Sequence, residues 1–426
     1  MQCWAIFNLK VYVLRILLIN YRYFISGGPE RYMFNVKDLL EQAGHEVIPF
    51  SIKSRSNITT KYEHYFAEPL GGQDEAYFSK ARHTPKFMWD VLARLFYSFH
   101  VKKRLKRLID DTQPDVAYIL HHYNKLSPSV ISACKNNGVR IVMRLSDYFL
   151  FCPQAHFLRN GIICEDCLQK TLLSCVRYKC IKNSRIGSLL KAMALYFHKN
   201  ILEIYDNVDM FVCTTEFMKK KLLQDGIESN RISVITTYAK DYNLKKEDDT
   251  ESDYILYFGR FSYEKGVDIL INAYFKSGLP ELSIKLVLVG GKLSDLRGVE
   301  PDLLDKIGDN IIIYDFLTSD KLNPLIKACL YTIVPSRWYE NLPNTIVESY
   351  KFNKPVIASD IGCLPEVVHS NITGLLFKLE NVDDLSQKLK YLVINKKFRE
   401  SLKKNIRETN LFLPNVHYEK LIKILK

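Results

Sequence analysis

Short apolar runs recur along the chain, separated by stretches whose apolar positions return at helical spacing. Residues 14–20, 47–50, 115–120, 140–145, 210–213 and 232–235 form a first set of predicted strands. They are almost continuously apolar, the pattern of strands covered on both faces. Helices are expected between them at 31–43, 87–111, 126–136, 186–207 and 214–225. A second set of strands is expected at 254–258, 285–289, 311–314, 330–334 and 355–358. Further helices are expected at 319–329, 382–394, 398–410 and 416–425. Strand and helix alternation on this scale predicts two α/β domains with parallel sheets. The first spans residues 1–236 and carries a cysteine-rich insert at 152–180. A polar linker covers 237–252, the second domain 253–410, and a last helix at 411–426 crosses back to the first domain. Residues 1–13 read as an extension and 51–86 as a polar, irregular and mobile excursion.

The richest stretch is residues 336–350, SRWYENLPNTIVESY. A strand precedes it and ends at Pro335. Asn341, Pro343 and Asn344 supply turn chemistry, with Pro343 expected at the first helical position. Glu340 then falls in the loop, and Glu348 inside the following helix. That loop and helix start belong at the carboxyl edge of a parallel sheet, where α/β proteins bind ligands. Free N–H groups at a helix start favour phosphate, and a nearby carboxylate accepts from sugar hydroxyls. By spacing alone, a solvated helix glutamate and a loop charge fit as well.

Other loops hold complementary groups. Gly27 and Gly28 follow the first strand and precede a helix carrying Arg31, so backbone can approach a ligand closely there. Gly259, Arg260, Lys265 and Gly266 occupy the first loop of the second domain, where two cations between glycines suit a diphosphate. His121 and His122 end the third strand, Asp147 follows the fourth, and His156 lies in the insert. A histidine at a strand end is more often structural than chemical. Within the insert, Cys164-x2-Cys167 with Cys175-x4-Cys180 has the count for a structural tetrahedral zinc. Reduced thiols and disulfides stay open as alternatives, and Cys152 is left unassigned. Four thiolates would leave no open position, so no catalytic metal is expected.

The order of these motifs carries a resemblance. G-R-x4-K-G at 259–266, E-x7-E at 340–348 and KPVIASDIGCLPEVVHSNITGLLF at 354–377 resemble the retaining glycosyltransferases of family 4 in the GT-B group. The resemblance runs from about Leu14 to the C-terminus and is most specific over 254–378. It implies a GT-B fold, with two Rossmann-like domains facing each other across a cleft. It also implies transfer of a sugar from a nucleotide-diphosphate donor to a hydroxyl acceptor, with retention and no metal required for catalysis. By the same resemblance Glu340 is the catalytic candidate. Arg260, Lys265, Glu348, Asn341, Leu342, Pro343, Asn344, Gly27 and Gly28 are the donor-binding candidates. Arg31, Asp147, His121 and His156 fall on the acceptor side. Matching proteins often carry histidine where this chain has Ser146, a departure that leaves the usual first-domain catalytic histidine in doubt. A non-catalytic sugar-nucleotide-binding scaffold and a sugar-nucleotide epimerase of the same fold group are the alternatives weighed.

Composition changes the picture in one respect. The chain has 426 residues, 47% hydrophobic and 25% charged, as a globular protein should. Its net charge of +13 asks for an anionic partner: nucleic acid, an acidic membrane surface or anionic small molecules. No nucleic-acid motif accompanies the charge. Lys102, Lys103, Arg104, Lys106 and Arg107 give the helix at 87–111 a basic face, which fits an anionic membrane surface or simply solvent. The N-terminus has neither a basic leader pattern nor about 18 unbroken apolar residues. The expected location is therefore the cytoplasm, with peripheral contact to the inner membrane face. The acceptor is expected to be a saccharide or a lipid-linked saccharide.

Overall fold

The computed structural model describes residues 13–73, 81–240, 251–304, 307–409 and 412–426. Most of the expected N-terminal extension, the charged part of the linker and Asn410 fall outside these residues.

Two six-stranded parallel sheets form the framework. In the first domain the strands are β1 (Arg15–Asn20), β2 (Glu46–Phe50), β3 (Val116–His121) and β4 (Arg140–Arg144). A small hairpin, β5 (Leu158–Arg159) and β6 (Ile162–Ile163), precedes β7 (Met210–Cys213) and β8 (Ile232–Val234). The first sheet runs β2-β1-β3-β4-β7-β8. In the second domain β9 (Tyr254–Phe258), β10 (Lys285–Val289), β11 (Ile311–Tyr314), β12 (Thr332–Val334), β13 (Val356–Ser359) and β14 (Gly374–Phe377) run β11-β10-β9-β12-β13-β14. The order reverses beside β1 in one sheet and beside β9 in the other. Such reversals open a crevice at the strands' carboxyl ends. The helix Pro414–Leu425 packs on the first domain, where Leu421 and Leu425 join its core.

Several expected elements are corrected. The stretch at 87–111 is two helices, Pro85–Phe96 and Phe99–Thr112. Tyr97 turns extended, and the Ser98 hydroxyl accepts from the N–H of Val101, so a capping residue restarts the helix. The expected helix at 186–207 stops as Arg185–Tyr196, passes through a wide turn at Phe197–Ile201 and breaks where Glu203 is left-handed. The helix expected from 126 begins at Ser129, after Pro128. Pro343 caps the helix Asn344–Lys351 from outside instead of opening it. The expected excursion at 51–86 contributes to the core through Tyr62, Phe66 and Ala67. Arg104 ties it down by donating to the carbonyls of His64, Tyr65 and Phe66. One of the five expected basic surface residues is thus an internal latch, and a second, Lys106, pairs with Asp110.

Candidate functional site

The loops after β9 and β12 meet at the second sheet's reversal. Gly266, at φ +68, lets them touch, since a Cβ there would stand 2.0 Å from the Pro335 carbonyl oxygen. Arg337, which the sequence did not single out, locks the same contact. Its guanidinium bonds both carboxylate oxygens of Asp268 at 2.6 Å and the carbonyl of Tyr263 at 2.9 Å. That bracing places Lys265 Nζ 2.6 Å from Glu340 Oε1, with the Ser336 hydroxyl donating to the same oxygen at 2.7 Å. Burial raises the Glu340 carboxyl, but the Lys265 charge and these hydrogen bonds outweigh it and hold the group below its ordinary value. Arg260 lines the same cavity from an exposed position and pairs with Glu264, at 3.4 Å.

The loop that carries Glu340 is clamped against the first domain. Tyr148 Oη donates to the Glu340 carbonyl at 2.8 Å, and the Asn341 amide donates to the Leu145 carbonyl at 3.1 Å. Thr214 donates to Asn341 Oδ1 at 2.8 Å. The Asn341 side chain thus joins the domains. Among the described residues, no backbone acceptor takes the N–H of Asn341, Leu342 or Asn344, so these groups remain available beside the helix start. Gly28 faces them closely, since a Cβ there would lie 2.4 Å from Asn344 Nδ2.

That close approach divides the crevice. A cavity of about 570 Å³ holds Gly27, Gly28, Asp147, His156, Arg260, Lys265 and the 338–345 loop with Glu340, Leu342 and Pro343. A neighbouring one of about 250 Å³ holds Arg31, Glu348 and Lys351, and shares Gly28, Tyr32, Thr237 and Asn344 with the first. The two glutamates therefore line adjacent chambers. Arg31, expected on the acceptor side, belongs to the Glu348 chamber and pairs with Glu348 at 2.9 Å. Burial raises the Glu348 carboxyl, opposed by the Arg31 charge.

The first-domain candidates separate as well. Asp147 and His156 reach the larger cavity, and His156 packs on Trp338 with ring centroids 5.2 Å apart. Burial pushes His156 down, so it is neutral at pH 7. His121 stands behind Asp147 and donates to its carboxylate at 3.3 Å. His122 turns into the core, where burial lowers it to about 3. Arg144 and Tyr148 also line the cavity. Reading Arg144 as the end of an apolar strand hid it. No local pattern marks Tyr148, whose partner lies 192 residues away.

The cysteines of the insert are free thiols. Among the described residues no three His, Cys, Asp or Glu side chains are grouped as they would be around a metal ion. Cys175 and Cys180 hydrogen-bond each other, and Cys152, unassigned in the sequence, stands among them. Burial, reinforced by Cys180 and Cys152, pushes the Cys175 thiol up to about 12.

Comparison with known proteins covers nearly the whole chain. The profile described as Glycosyltransferase Family 4 matches residues 26–237, and that described as Glycosyl transferases group 1 matches residues 240–409. An uncharacterized glycosyltransferase of Methanocaldococcus jannaschii is 30% identical over 203 residues, 47% of this chain and 54% of that one. The chain spans about half the length of the curated relatives it matches. Among solved structures, a glycosyltransferase from Rickettsia africae aligns over 97% of this chain and 98% of its own, with a TM-score of 0.64 and 20% identity. Anabaena HepE, solved in complex with UDP, aligns over 97% and 99%, with a TM-score of 0.61 and 17% identity. At such identity these structures speak for the fold alone.

Proposed function

We propose, for a chain that belongs to family 4 of the GT-B glycosyltransferases, that it transfers a sugar from a nucleotide-diphosphate donor to a hydroxyl acceptor with retention of anomeric configuration. The observation that carries this reading is the buried Lys265–Glu340 pair beside the open N–H groups of Asn341, Leu342 and Asn344. An anion and a polyol are what such a site suits. In this reading the donor lies across both chambers. Its nucleoside enters the smaller one, where Glu348 exchanges Arg31 for ribose hydroxyls. Its diphosphate lies along the lining that the two chambers share, beside Gly28 and Asn344, and meets Arg260, Lys265 and the helix start. The sugar then occupies the larger chamber against Glu340. Two cations and helix N–H groups stabilise the departing diphosphate, so the reading needs no catalytic metal. Clamping of the 339–344 loop between domains keeps water from the donor.

The acceptor is a saccharide or lipid-linked saccharide of polysaccharide, lipopolysaccharide or glycolipid assembly, met at an anionic membrane surface. The test is a nucleotide-sugar binding screen followed by kinetics of two variants. Glu340→Gln should lower kcat with little effect on donor affinity, because its partner changes at the transition state. Glu348→Ala should mainly raise the donor KM, because the ribose does not change. A protein that binds no nucleotide sugar, or a Glu340→Gln variant with unchanged kcat, would overturn the reading.

A further inference from the structure

Arg144 is the cation in the larger chamber that the transfer chemistry leaves unused. It ends β4 and is only 6% exposed, yet it lines the cavity. Its guanidinium lies over the Tyr32 ring, 3.8 Å from the centroid, and beside that residue's hydroxyl. Nη1 donates to the Ser146 hydroxyl at 2.7 Å, while Nε is buried without an acceptor. Among the described residues no carboxylate pairs with it. The other two cations of this chamber both have acids, Lys265 with Glu340 and Arg260 with Glu264. Burying a charged guanidinium unpaired is costly unless a partner arrives. The aromatic platform and the Ser146 contact hold its plane at the chamber wall.

We propose that Arg144, held by Ser146 and Tyr32, is a specificity-determining residue that receives the carboxylate of an acidic sugar. This rests on the transfer reading above. In that reading the diphosphate is already met by two cations, Arg260 and Lys265, and Arg144 is left over. The anion it awaits is therefore a second one, carried by a sugar. A planar fork matches a carboxylate in two-point contact, which a lysine at the same place could not reproduce. The carboxylate belongs either to the transferred sugar or to the acceptor, and the two sources need separate arms.

In the donor arm, binding of UDP-glucuronate and UDP-glucose is measured against UDP alone, for wild type, Arg144→Gln and Arg144→Lys. GDP-mannuronate and GDP-mannose take their place if the protein selects guanosine. In the acceptor arm, transfer to glucuronate-ended and glucose-ended oligosaccharides is compared with the same three proteins. Arg144→Gln should weaken the acidic compound of one arm about 10- to 150-fold, as for a lost charge-assisted contact. UDP or GDP binding and the neutral compound should hold, and Arg144→Lys should recover only part of the loss. Should the glutamine variant fail to fold, the lysine variant carries the same acidic-to-neutral comparison. Equal weakening of acidic and neutral compounds would mean that Arg144 only supports Tyr32, and would overturn the proposal. So would indifference of the wild type to sugar charge in both arms while it still binds nucleotide. Wild-type protein that binds no nucleotide or nucleotide sugar would instead overturn the transfer reading, and this inference with it.

Discussion

Arg260 and Lys265 belong to one loop and carry the same charge, but their surroundings give them different dependencies. The Arg260 side chain is 73% exposed and its pairing with Glu264 is a surface contact, worth little to folding. Arg260→Ala should leave stability within about 0.5 kcal/mol. It should still cut donor kcat/KM about 10- to 150-fold if the guanidinium meets the diphosphate. Lys265 answers a carboxylate that is only 8% exposed. Lys265→Ala strands that charge, and removing one partner of a buried pair costs about 3–5 kcal/mol. Urea unfolding and donor kinetics of both variants check the contrast. Unchanged donor kinetics in Arg260→Ala would remove it from the clamp. G-R-x4-K-G was legible as a cation loop at the residue scale. Which cation is spent on Glu340 was not, because the carboxylate lies 75 residues further on.

Among the elements, the helix Arg185–Tyr196 has an unusual outer face. Ile186, Leu189, Met193 and Tyr196 share one side at helical spacing and are 74%, 40%, 50% and 53% exposed. Exposed Arg177, Lys179 and Arg185 lie just before or at its start. On the proposal that the protein meets an anionic membrane, this face is better placed than the helix Phe99–Thr112, where Arg104 and Lys106 are already engaged. Leu189→Glu with Met193→Glu should weaken binding to anionic vesicles more than Lys106→Ala does. Binding should fall with salt, since surface attraction is screened over about 10 Å at roughly 0.1 M. Equal sedimentation with neutral and anionic vesicles, or no effect of the double glutamate, would count against that face. The sequence showed charge at 102–107 because charge is local. It hid the exposed stripe because an apolar helix face looks the same whether it is covered or not.

Across the whole molecule, His417 ties the C-terminal helix to the first domain. Its Nδ1–H donates to the Thr236 carbonyl at 2.7 Å, and Nε2 accepts from Tyr32 Oη at 3.2 Å. Burial lowers it from 6.5 to about 3, as it does His122. Both are neutral in the folded protein, while the unfolded chain takes up a proton on each near pH 6.5. Their stabilising effect is therefore complete above that pH and is lost as pH falls from 6.5 toward 3. At pH 5 the loss is about 2 kcal/mol for each as an upper figure. Urea unfolding at pH 7 and pH 5 should show the decline, and His417→Gln should make it shallower by about one proton. An unchanged slope in that variant would mean that His417 titrates alike in both states.

Local pattern by itself determined the α/β class, the motif loops and every sheet strand but β14, whose start at Gly374 read as a loop. Near-continuous apolar runs such as Tyr254–Phe258 admit few other structures, and glycine with proline marks where a chain must turn. Tertiary structure decided the break at Tyr97 and the burial of Phe66, where packing on the first core overrode a polar stretch. It also decided how the site is shared out. Glu340 and Glu348 lie eight positions apart and read as one motif, yet the approach of Gly28 to Asn344 puts them in separate chambers. That no carboxylate among the described residues pairs with Arg144 could be seen only once those residues had positions. A charge is visible in a sequence, but its partner is set by distances that the order of residues does not contain.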